Sequence, residues 1–242
     1  MLINGKDIDE YSCIQIRRNI YPVSVTTVED WLDGAIQPTF VRQQDSFKKI
    51  EMVLILDAES ENEAQLQLSR LTAAAKRCKV QFDDIDLTYD CSLEALTTER
   101  ITKKVFNVNI TWKCGYAVGH AVKILNPDIS SGKLDIKQKG TAPSALIFEL
   151  VPIASTIVQV KVGGLTEDGF TIRNVPFGKK LVIDSEKGTI ELVDMADGTA
   201  TPAIDCYDDC WEMPKLQPGL NTVTFDYTTG YNINIYYKPA YL

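Results

Sequence analysis

A single histidine, His120, is present in 242 residues. Catalytic devices that work through imidazole therefore have one candidate. It sits in Gly115-Tyr-Ala-Val-Gly-His-Ala, where a solvated loop or interface histidine is the plain reading. The chain has no Gly-x-Gly-x-x-Gly turn and no phosphate-loop lysine motif, so nucleotide binding has no sequence support. No apolar run approaches the roughly 18 residues that span a bilayer. The opening Met-Leu-Ile-Asn-Gly-Lys-Asp lacks the basic start and apolar core of a signal peptide. The protein is thus expected to be made and kept in a cytoplasm, or built into a particle there, without membrane insertion. Internal repeats and low-complexity segments are also missing.

No Cys-x-x-Cys pair occurs among the six cysteines, Cys13, Cys78, Cys91, Cys114, Cys206 and Cys210. Reduced, mostly buried thiols are expected. Cys206 and Cys210 have the spacing of half a metal site, but no second pair lies near them in the sequence, so no metal and no cofactor is expected. A basic surplus is lacking too. Net charge is −8 and divides evenly, −4 over residues 1–128 and −4 over 129–242. Neither half can neutralise a run of phosphates, which argues against duplex nucleic-acid binding.

What is present is a soluble globular composition, 45% hydrophobic and 24% charged, in a chain long enough for two ordinary domains. Tyr11 to Tyr21 is strand-like and mixes apolar with basic residues. Residues 24–45 form an extended excursion or a local loop holding Val25, Val28, Trp31, Leu32, Ile36 and Phe40 among polar residues. These apolar groups are too many for an idle loop and too irregular for a core strand, so they are candidates for an oligomer interface. Lys49 to Leu56 reads as a buried strand. Ser60 and Glu63 have capping-box spacing, and Ala64, Leu68, Leu71, Ala75 and Cys78 follow at helical intervals. The helix is expected to close on Lys76, Arg77 and Lys79. Residues 80–92 read as a strand pair with an acidic turn. Phe106, Val108, Ile110, Trp112 and Cys114 then alternate with polar residues as a long half-buried strand.

Asn126-Pro127-Asp128-Ile129-Ser130-Ser131-Gly132 is rich in turn formers, and the domain boundary is expected there, giving domains 1–128 and 129–242. Beyond it no helix is legible. Ala145–Pro152, Thr156–Gly163, Phe170–Asn174, Lys180–Asp184, Thr189–Val193, Asn221–Tyr227 and Tyr231–Lys238 read as strands at regular spacing, the mark of an all-β sandwich. A hairpin is expected around Asp184-Ser185 and Lys187-Gly188. The overall class is mainly β with one principal helix: an α+β domain followed by an all-β sandwich. Tyr207, Asp208, Asp209 and Trp211 form the one aromatic-acidic cluster, readable as a ligand or docking patch. Trp211 itself is expected in the core. With 33 acidic residues, a carboxylate pair for glycoside hydrolysis remains a third reading, but no residue is singled out as catalytic.

The order Leu-x-Ile-Asp-Ser-x-x-Gly-x-Ile (181–190), then Trp211, then Leu-x-Pro-Gly-x-Asn-x-Val (216–223) resembles the C-terminal domain of siphophage distal tail proteins. Gly140-Thr141-Ala142-Pro143 resembles the family's entry into that domain. The resemblance implies a ring-forming N-terminal domain, a homo-hexamer around a DNA-wide channel, and a galectin-like C-terminal domain that projects outward. It implies a non-enzymatic hub at the virion tail tip or baseplate, assembled in the bacterial host cytoplasm. The implied partners are the tail-tube protein, the tail-associated protein (a lysin or fibre) and receptor-binding or baseplate proteins, with DNA passing through unbound. The alternative is a carbohydrate-binding module recognising host cell-wall polysaccharide.

Overall fold

The computed structural model describes residues 1–30, 39–208, 211–226 and 229–242. They group into two compact units, Met1–Val118 with Leu242, and Gly119–Tyr241. Both are mainly β, and the first holds the one α-helix among the described residues.

The first unit is built on an antiparallel sheet. Its strands are β1 (Leu2–Ile3), β2 (Lys6–Asp7), β3 (Cys13–Ile20), β6 (Lys48–Asp57), β7 (Arg77–Phe82), β8 (Ile85–Arg100) and β9 (Val105–Val118), in the order β2-β1-β7-β8-β9-β6-β3. A further pair, β4 (Val25–Asp30) and β5 (Thr39–Asp45), forms its own two-stranded sheet. Period-two burial along β6 and β9 turns Ile50, Met52, Leu54, Leu56, Val108, Ile110 and Trp112 to one face. Helix α1 (Glu61–Ala75) buries Ala64, Gln67, Leu71 and Ala75.

The N-terminus of α1 is capped as its sequence anticipates: the Ser60 hydroxyl accepts from the Glu63 N–H at 3.2 Å. Ser60→Ala should cost about 1 kcal/mol, read as a lowered denaturation midpoint at unchanged slope. The helix stops at Ala75, a turn sooner than the apolar stripe suggests, and Cys78 lies on β7. Indole Trp112 Nε1 donates to the Ala75 carbonyl at 2.9 Å, satisfying one of the carbonyls a helix end leaves open.

The second unit is a two-sheet sandwich. One sheet holds β10 (Val122–Leu125), β12 (Ser144–Pro152), β15 (Lys179–Asp184), β16 (Thr189–Asp194), β17 (Ala200–Pro202), the short β19 (Lys215–Leu216) and β21 (Tyr231–Tyr237). The other holds β11 (Lys133–Gln138), β13 (Ile157–Gly163), β14 (Phe170–Val175), β18 (Tyr207–Asp208) and β20 (Gly219–Phe225). Their inner faces share one core that includes Phe148, Leu150, Ile183 and Ile235 from the first sheet and Val162, Phe170, Val223 and Phe225 from the second. The expected hairpin is present, with Asp184 opposite Thr189 and Gly188 at φ +68°.

The Asn126–Gly132 turn lies inside this unit, because β10 ahead of it pairs along β21 from Val122↔Tyr237 to Leu125↔Asn234. Long-range pairing of a four-residue strand leaves no mark on local composition.

Candidate functional site

The residues that stand out are surface groups. Within the stretch 24–45, strands β4 and β5 are antiparallel and, among the described residues, pair only with each other. The pair follows the β3–β6 ladder along the chain. Ile20 faces Ile50, the Tyr21 N–H donates to the Lys49 carbonyl at 2.9 Å, and the Ser46 N–H donates to the Ser24 carbonyl at 2.7 Å. Pro22 cannot donate to a ladder, which fits the break between the two pairings. Val25 and Val28 on β4 are 48% and 39% exposed, and Phe40 lies on β5. Trp31, Leu32 and Ile36 lie outside the described residues. Sequence reasoning missed the apolar groups around the base of this pair. Tyr21 and Phe47 are exposed beside it, and Ile14 and Ile16 are exposed on β3, the edge strand. Ile14 and Ile16 alternate with Gln15 and Arg17, a pattern that would ordinarily put the isoleucines inside, so the sequence gives no sign that this apolar side faces out.

Near β3 a polar cleft is lined by Asp7, Asp9, Gln15, Arg18, Asp83 and Asp84. Arg18 grips Asp84 with both terminal nitrogens, at 2.8 and 2.7 Å, and lies 4.4 Å over the Phe82 ring. The hydrogen bonds from Arg18 hold the Asp84 carboxyl down to about 2.

In the second unit the aromatic-acidic cluster comes apart. Tyr207 is a core residue, stacked on Phe170 with centroids 5.0 Å apart, and its hydroxyl donates to the Glu212 carbonyl. Asp208 pairs with Arg173 at 3.2 Å. Asp209 and Cys210 lie outside the described residues. Burial pushes the Cys206 thiol up. Trp211 corrects the expectation of a core tryptophan: it is fully exposed. Phe148, Phe170 and Tyr207 already fill the core as an aromatic trio, and in the segment after Trp211 the inward residues are Pro214 and Leu216. Trp211→Ala should therefore change stability by less than about 0.5 kcal/mol, which thermal melts will read. Tyr231 and Tyr237, by contrast, are buried in the sandwich.

No protein-family model matches this sequence, and a search of curated proteins finds no match. The fold nevertheless occurs among phage hub and baseplate proteins. The crystal structure of the phage SPP1 Dit protein, described as a paradigm of the hub adsorption apparatus in phages infecting Gram-positive bacteria, matches with a TM-score of 0.79 at 11% identity, covering 100% of this chain and 98% of that one. The phage P2 baseplate in its activated conformation with Ca matches with a TM-score of 0.55 at 12% identity, covering 96% of this chain and 92% of that one.

Proposed function

We propose that the protein is a distal tail protein, a structural hub at the tip of a siphophage tail. The observation that carries this reading is the match to a phage hub protein over both units, at full length. The first unit would assemble head to tail into a hexameric ring, since closed rotational symmetry needs two different patches per subunit. The β4–β5 pair supplies one patch. A lone two-stranded ribbon is marginal in water, and this one carries exposed Val25 and Val28, so burial against a neighbouring subunit would stabilise it. Trp31, Leu32, Ile36 and Phe40 belong to the same proposed interface. One ring face would meet the tail-tube protein and the other the tail-associated protein. DNA would pass an acidic protein without binding.

The second unit would project as a galectin-like docking platform for receptor-binding or baseplate proteins, with exposed Trp211 as a contact point and Asp208 beside the same segment. A second reading has one specific observation in its favour. An isolated exposed tryptophan is also what a carbohydrate-binding module presents to a sugar ring. No catalytic residue is proposed.

Electron microscopy of tails carrying a label on this protein, together with the native mass of the purified chain, tests the reading. A label confined to the tail tip and a hexameric ring, lost when residues 25–45 are replaced by a short turn, are expected. Label along the whole tube, or a monomer that binds wall polysaccharide through Trp211, would overturn it.

A further inference from the structure

Three cysteines far apart in sequence form a row across the first unit's sheet. Cys78 on β7 faces Cys91 on β8, and Cys91 faces Cys114 on β9. All three are buried. The Cys91 and Cys114 sulfurs lie 2.9 Å apart, as free thiols in contact. The other described cysteines stand apart from the row: Cys13 lies on β3 opposite Leu56, and Cys206 is in the second unit.

We propose that Cys91 and Cys114 are an oxidation site that closes to a cross-strand disulfide, with Cys78 as the reserve partner of Cys91. Residues directly opposite in a regular antiparallel ladder have Cα atoms about 4.5–5.5 Å apart; the register shifts between Tyr89 and Cys91, yet Cys91 stays paired with Cys114 and the two sulfurs touch. A disulfide needs about 4.4–6.8 Å, so the sheet can accept the bond where it stands. Thiolates do this chemistry, and burial both disfavours them and shuts out bulky reagents. The oxidant is therefore a small one, and hydrogen peroxide is close to water in size. One thiolate of the pair attacks a peroxide oxygen. The O–O bond breaks, a sulfenic acid forms, and hydroxide leaves to take up a proton as water. The facing thiol then attacks the sulfenic sulfur; the S–S bond forms, the S–O bond breaks, and a second water leaves. Two thiols have lost two electrons, and one peroxide has become two waters.

The bond would tie together the two longest strands of the sheet, β8 and β9. Cross-linking limits the unfolded chain more than the folded one, so the oxidised form should melt higher. Under the tail-tip reading, release from the host cytosol would expose the protein to oxidants. The chemistry itself does not depend on that reading, so failure of either leaves the other standing.

The test uses the full-length protein, reduced, desalted, treated with hydrogen peroxide under native conditions, then denatured with an alkylating agent and mapped by peptide mass. A linked Cys91–Cys114 peptide is expected, two hydrogens lighter than its reduced parts and reversed by a phosphine. The melting temperature of the first unit should rise by roughly 5–15 °C. In Cys114→Ala the link should move to Cys78–Cys91, and Cys91→Ala should show none within the row. Full alkylation of both Cys91 and Cys114 after treatment, or a link that joins two chains, would overturn the proposal. The wild-type map decides even if a variant fails to fold.

Discussion

Trp112→Ala is expected to lower the stability of the first unit by about 3–5 kcal/mol. The side chain is among the largest fully buried ones, and its replacement removes apolar contacts and leaves a cavity that the sheet and helix can only partly close. A second cost adds to the first. The indole N–H satisfies the Ala75 carbonyl at the buried end of α1, and alanine leaves that acceptor without its partner. Circular dichroism during denaturant unfolding reads the loss without relying on the deleted fluorophore. Trp112→Phe separates the two causes: it keeps much of the volume and loses the hydrogen bond, so it should recover most of the stability. Equal losses in the two variants would mean that packing is not the main term.

Phe170→Ala is expected to do comparable damage to the sandwich, again about 3–5 kcal/mol. Phe170 is fully buried and joins two aromatic contacts, edge-on to Phe148 at 6.0 Å and stacked on Tyr207 at 5.0 Å. It thus couples the inner faces of β12 and β14 to β18. If the two units unfold independently, calorimetry should show Trp112→Ala lowering one transition and Phe170→Ala the other. A single transition lowered by both would mean that the units unfold together. The contrast with Trp211→Ala is the sharpest check on the core assignment, since two aromatic deletions in one unit should differ by several kcal/mol.

Much of this was legible along the chain. The Ser60–Glu63 spacing announced the start of α1, because capping is settled within four residues. Clean alternation from Phe106 to Cys114 announced β9, because a half-buried strand writes period two into its own sequence. Seven strands of the second half, β12 to β16, β20 and β21, fell close to where hydrophobic runs and turn residues marked them, whereas β10 and β11 ahead of them were not marked. The absences were equally legible, since a single histidine is a matter of composition and a phosphate-binding turn is a motif of neighbouring residues.

Other features depended on partners distant in sequence. Trp211 looked like core because tryptophans usually are, yet Phe170 and Tyr207, drawn together from separate strands, had already filled the space. Stretch 24–45 read as an extended excursion or a local loop, and only the pairing of β4 with β5, after the β3–β6 ladder, showed two strands in it. Cys78, Cys91 and Cys114 looked like unrelated buried thiols until strand register lined them up. The sequence by itself determined the helix cap, the period-two strands and the residue types available, since these depend on residues within a few positions of one another. Tertiary structure alone decided which apolar groups remain outside and which thiols touch, since strand register and competition for core volume are set by the whole chain at once.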